Sequence, residues 1–158
     1  MSIIGMYYDF SERQWELLKH LPFQIFAIVA GADGSIDDKE IRKFEKQFDN
    51  AEDLENELHR EVLLSTQAED MDTYVSTSAN AIRNAYNAKS IVPMLKQKLD
   101  QEDYEAFISS LYASAVEIAR ASGGGLFRSS ISKAEAKALA VVAEMFQLDP
   151  EQLKVTKR

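Results

Sequence analysis

Ala32-Asp33-Gly34-Ser35-Ile36-Asp37-Asp38-Lys39-Glu40 is an acidic turn, and the segments on either side make it the joint of a helical fold. Upstream, Phe23-Gln24-Ile25-Phe26-Ala27-Ile28-Val29-Ala30 is apolar on nearly every helical face, the pattern of a helix buried in the middle of a core. Gly31 and Gly34 supply the backbone freedom that ends it. Asp37 and Glu40 have the spacing of a capping box, in which each side chain accepts a hydrogen bond from the other residue's backbone N–H. The helix opened there carries Ile41, Phe44 and Phe48 as its buried stripe to about Asp49, with Lys39, Lys43 and Lys46 on the solvated side.

Toward the N-terminus, Ser11 and Gln14 form another capping box, and Trp15, Leu18 and Leu21 follow on one helical face. Proline is disfavoured inside a helix and well suited to its first turn, so Pro22 predicts a break at Leu21 and a fresh helix to Gly31. Residues 1–10 are apolar and aromatic without helical spacing and read as an extended arm against the body. Beyond the joint, Leu54, Leu58 and Val62 predict a helix from Glu52 to about Ser65 with a negative outer face. After a polar break, Met71, Val75, Ala79, Ile82 and Tyr86 predict an amphipathic helix to about Ala88, and Val92, Leu95 and Leu99 a shorter one around Pro93. Asp100 caps a long helix carrying Phe107, Leu111, Ala115 and Ile118.

The glycine- and serine-rich stretch over 122–131 reads as an exposed flexible loop. Ser132 and Glu135 have capping-box spacing before the stripe Leu139, Val142 and Phe146, and Asp149-Pro150 predicts a last helical turn. Ser122-Gly123, followed after the insertion by Ile131-Ser132-Lys133-Ala134-Glu135, weakly echoes the acidic turn. No segment alternates as a strand does. The expected class is therefore all-α, a compact single-domain bundle over 1–158 of about seven or eight helices with a weak internal pseudo-two-fold repeat.

Composition narrows the function. A chain of 158 residues, 46% hydrophobic and 28% charged, can bury one sizeable core. Its net charge of -8 argues against nucleic acid, whose phosphates need clustered Lys and Arg, and favours cations or basic protein surfaces as partners. With no cysteine, disulfides, thiolate metal sites and cysteine nucleophiles are excluded. The N-terminal residues lack a basic leader, and the apolar stretch from Phe23 to Ala32 is about half the roughly 20 residues that span a bilayer, so the expected location is cytoplasmic and not integral to a membrane. Two histidines and no recognisable nucleophile turn point away from an enzyme.

Several residues are candidate ligands. Asp33, Gly34, Ser35, Ile36, Asp37 and Glu40 match the fifth to ninth and the twelfth positions of an EF-hand loop, but the first and third fall on Val29 and Gly31, which have no side-chain oxygen. Half a calcium loop leaves two readings open: pure helix capping, or a weak, open site in which Asp33, Asp37 and Glu40 hold calcium or a similar divalent ion. The pairs Glu16/His20 and Glu55/His59 have one-face spacing but read as ordinary solvated pairs. Gly123-Gly124-Gly125 lacks the lysine and hydroxyl of a P-loop and reads as a connector.

A buried apolar helix, then Ala-Asp-Gly-x-Ile-x-x-x-Glu across Ala32 to Glu40, an amphipathic helix and a degenerate second copy resembles the TerB-like family of tellurite resistance proteins. The resemblance implies a compact helical domain associated with tellurite and other stress responses, without established enzymatic activity. It also implies a divalent metal held by acids near the two repeat turns, here Asp33, Asp37 and Glu40 in the first and Glu135 in the second. Ser122 and Ser132 stand where the family's second turn has acids, so a lopsided site is expected. The alternative is a metal-independent scaffold that binds an unidentified protein partner through the acidic 49–72 surface or the Leu126 and Phe127 loop.

Overall fold

The structure is a computed structural model, and it describes residues 10–32, 37–66, 91–122, 124–125, 128–129 and 133–148. Within these the elements are α1 (Glu12–Ala30), α2 (Asp38–Asp49), a 3-10 turn (Ala51–Asp53), α3 (Glu57–Thr66), α4 (described over 91–98), α5 (Gln101–Ser122) and α6 (Lys133–Met145). The fold is all-α, with six helices among the described residues rather than seven or eight. Gly124–Gly125 and Arg128–Ser129 form a two-residue antiparallel ribbon inside the glycine-rich loop, with Gly124 opposite Ser129, too short to build a layer. Residues 1–9 of the expected 1–10 arm, the 71–88 helix and the turn at Asp149 lie outside the described residues, while Phe10, at the end of that arm, is buried.

The local signals account for most of the helix starts. Ser11 Oγ accepts from the Gln14 N–H at 3.1 Å, and Gln14 Oε1 accepts from the Ser11 N–H at 2.9 Å. Asp100 Oδ1 caps α5 by accepting from the Asp103 N–H at 2.8 Å. The expected helix from Glu52 divides, because Asn56 Oδ1 accepts from the His59 N–H at 2.9 Å and starts α3 there, leaving the residues before it as a 3-10 turn. Ser132 lies outside the described residues, so the capping box proposed for α6 is not seen.

Pro22 corrects the sequence reading most clearly. It sits inside α1, which runs unbroken from Glu12 to Ala30. An interior proline costs roughly 3 kcal/mol through the lost hydrogen bond and the clash with the preceding turn. Leu18, Leu21, Phe23, Ile25, Phe26 and Val29 are all buried along the same helix, and each such side chain contributes on the order of 1.5–3 kcal/mol by leaving water. Burial of both halves on one core outweighs the local penalty.

Two long helices, α1 and α5, pack on each other at the centre. The arrangement around them is reciprocal: α2, which follows α1, packs on α5, while α6, which follows α5, packs on α1 as well as on α5. Phe44 of α2 stacks on Phe26 of α1 with centroids 4.3 Å apart and meets Phe23 and Phe48 edge-on at 5.3 and 5.0 Å. Ile41, expected in this stripe, is instead 38% exposed. At the other end of the bundle, Tyr104 of α5 donates its hydroxyl to the Phe146 carbonyl at 2.8 Å, tying α5 to the end of α6, and burial pushes its phenol up to about 12.

Helix ends adjacent to the candidate turns are tightly specified. A Cβ on Gly31 would lie 2.8 Å from the Ala27 carbonyl oxygen, which the Gly31 N–H itself approaches at 3.1 Å, so glycine is needed for this close approach. Helix α6 ends in a Schellman motif: the Leu148 N–H donates to Ala143 and the Gln147 N–H to Glu144. Gln147 occupies the left-handed position at φ 59° without being glycine, and its side-chain oxygen accepts from Lys96 of α4.

Candidate functional site

The acidic turn joins α1 to α2, and its second half is described. Asp37 Oδ1 accepts from the Glu40 N–H at 2.8 Å and Glu40 Oε1 accepts from the Asp37 N–H at 3.0 Å, the reciprocal capping box read from the sequence. Asp37 is exposed, whereas Glu40 is completely buried at 0% exposure. Glu135 is likewise in the first turn of its helix, α6, and is 2% exposed. Both helices that follow the two long core helices thus sink a glutamate at the same early position. Asp33 lies outside the described residues.

The fit of these groups to a divalent ion turns on number and chemistry. Asp37 and Glu40 are hard oxygen donors held together by the cap, and a carboxylate has two oxygens and about four lone-pair sites, so capping and cation binding can share one side chain. Among the described residues no three acidic or histidine side chains group closely enough to hold a metal. Glu135 therefore does not join Asp37 and Glu40 in one cluster. The donor set suits a hard cation such as calcium.

The two glutamate–histidine pairs differ: Glu16/His20 lies at the surface as expected, and Glu55/His59 does not. Glu16 makes an ion pair with Lys19 at 2.8 Å, and His20 Nδ1 donates to the Glu16 backbone carbonyl at 2.7 Å. Glu55 is exposed, but His59 is 1% exposed, contrary to expectation. Its Nδ1 lies 2.6 Å from Ser110 Oγ on α5, its ring meets Phe107 edge-on, and burial pushes its pKa down to about 4, so it is neutral near pH 7. The signal that could have found it is the width of the α3 stripe: Leu58, Val62, Leu63 and Thr66 are all buried, and His59 falls between them on the same face.

Beside His59 and Ser110, a cleft of about 300 Å³ opens between α2 and α5. It brings Lys43, Lys46, Gln47 and Asn50 from α2 and its cap to Ser110, Ser114 and Glu117 of α5, with Leu54 and Leu63 as apolar wall. No local pattern announces it, since its residues come from three separate segments. Gln47 Nε2 donates to the Ser114 carbonyl at 3.0 Å and bridges the two helices.

An all-helical domain built on two central helices, each leading through a turn to a helix with a buried early glutamate, is the class these features define. The family model described as Tellurite resistance protein TerB matches residues 23–158. The chain belongs to that family. Neither a curated protein nor a solved structure matches it. No helix among the described residues is long and apolar enough to cross a membrane.

Proposed function

We propose that this TerB-family protein is a non-enzymatic, stress-associated binding module of the cytoplasm, with a weak divalent-cation site at Asp33, Asp37 and Glu40. The observation that carries the reading is Glu40, a carboxylate with no exposure at the junction of two core helices, bonded to the backbone of a second carboxylate residue. Clustered carboxylates repel one another, and a hard cation held between their oxygens neutralises that charge. Bound there, the ion supplies charge neutralisation. Asp37 and Glu40 then tie its presence to the entry of α2, so that a stiffer turn alters the surface offered to a partner. Glu135 is the corresponding group of the second turn, and there it stands without the acids that Ser122 and Ser132 replace.

Calorimetric titration of the native chain with calcium, manganese and zinc tests this. Heat that saturates with at least one ion and disappears in the Asp33→Asn, Glu40→Gln double variant supports the site, and heat that is absent or unchanged in the variant overturns it. A second reading, a metal-independent scaffold, is favoured by the exposure of Asp49, Glu52, Asp53, Glu55 and Glu57 in one run beside α3. Such a surface suits a basic protein partner. Capture of the same partner with chelator present favours the scaffold over the cation switch.

A further inference from the structure

The cleft between α2 and α5 is not used by the acidic turn, and its lining is unusual for a surface depression. Lys43 is half-buried and Lys46 exposed, and among the described residues neither lies within ion-pair distance of a carboxylate, although Asp53 and Glu117 border the same cleft. In a chain of net charge -8, with acids available on the rim, two ammonium groups on one wall with no carboxylate partner among the described residues present positive charge to an incoming anion. Facing them across the cleft are Ser110 and Ser114 of α5, both half-buried, with Ser110 held by the buried His59 behind it at 2.6 Å. Leu54 and Leu63 supply an apolar side. A smaller void of about 10 Å³ shares Gln47, Leu63 and Ser114 with the cleft and extends it toward His59.

We propose that this cleft is a binding site for a small organic anion, an oxyanion head on a short apolar body. Lys43 and Lys46 meet the head, the Ser110 hydroxyl orients it, and Leu54 and Leu63 receive the body. A volume of about 300 Å³ lies at the lower end of the size range of small-molecule sites, which favours a ligand the size of a simple aromatic or aliphatic acid. Lysine serves as a point charge here, so carboxylate and phosphate ester share the required chemistry. His59 is neutral and buried, and it acts on the site through Ser110: with its Nδ1–H donated to Ser110 Oγ, the Ser110 hydroxyl hydrogen is left for the head, and no charge is added to compete with the lysines.

The test is an NMR titration of the full native chain with phenyl phosphate, benzoate and inorganic phosphate, following backbone amides, the Gln47 side-chain amide and the His59 ring nitrogens. At least one of phenyl phosphate and benzoate is expected to move the Gln47, Ser110, Ser114 and His59 signals saturably, and which one does so identifies the head. The Lys43→Gln, Lys46→Gln double variant should weaken that binding about tenfold or more. Ala113→Phe, at an exposed lining position, fills the cleft while keeping both lysines and should abolish it. The proposal is overturned if neither organic anion shifts these signals, if inorganic phosphate binds as tightly as both, or if either variant binds like the native chain. Dispersed amide spectra of both variants establish that they are folded when compared.

Discussion

Replacing Asp37 by alanine and, separately, by serine divides the two roles assigned to the acidic turn. The Asp37 side chain is exposed, so its removal leaves no cavity, and what is lost is the 2.8 Å bond from the Glu40 N–H to Oδ1. An N-cap of this kind contributes about 1 kcal/mol. The reciprocal bond to Glu40 Oε1 comes from the Asp37 backbone N–H and survives both substitutions. Asp37→Ala should therefore lower stability by about 1 kcal/mol, a fall of about 2–4 °C in Tm for a chain of this length. Serine keeps a side-chain acceptor at the cap and should stay within about 0.3 kcal/mol of the native protein. The measurement is urea unfolding followed by far-UV circular dichroism with chelator present, so that cation linkage adds nothing. Both variants lack the carboxylate, and both should bind divalent ions more weakly. If Asp37→Ser unfolds at the same urea concentration as Asp37→Ala, the stabilisation does not come from the cap and the reasoning fails.

Three further predictions concern the core and the ends of the helices. His59 has a folded pKa of about 4 against 6.5 when exposed, so the unfolded chain binds more protons between those values and stability falls as pH drops from about 6.5 to about 4. The loss amounts to about 3 kcal/mol, and a His59→Gln variant should show a flatter acid limb in urea midpoints measured across that range. Gln24 is buried with its Oε1 unmatched by any donor among the described residues, so Gln24→Met should be neutral or stabilising by up to about 1 kcal/mol in the same unfolding assay. Gln147 holds a left-handed φ of 59° that costs a non-glycine residue about 1 kcal/mol. Gln147→Gly should raise the urea midpoint slightly, by less than that full amount, because the side-chain bond from Lys96 is lost.

Features written into single segments were legible in the sequence. The two described capping boxes, the Asp100 cap and the stripes through Phe107, Leu111, Ala115 and Ile118 and through Leu139, Val142 and Phe146 all lie where periodicity placed them. Local rules misled where tertiary burial decided. Pro22 stays within α1 because both halves of the helix are buried on one core, and Asn56 wins the start of α3 over the acids at Glu52 because its side chain caps. His59 looked solvated among charged neighbours, yet α5 brings Phe107 and Ser110 over it. That contact joins residues 51 apart, as the cleft joins α2 to α5, and no local pattern encodes such a meeting. At the acidic turn the sequence correctly gave the cap, while the complete burial of Glu40 and of Glu135 emerged only from packing.

The central claim is that the first turn gathers a cation with Asp33, Asp37 and Glu40, and paramagnetic manganese locates such an ion directly. Addition of substoichiometric manganese to the isotopically labelled native chain should broaden the amide signals of residues 33–40 before any others, and calcium in excess should restore them. The Asp33→Asn, Glu40→Gln variant should show no preferential broadening there. Broadening that starts at the exposed acids of residues 49–57, or that is uniform along the chain, would contradict the account.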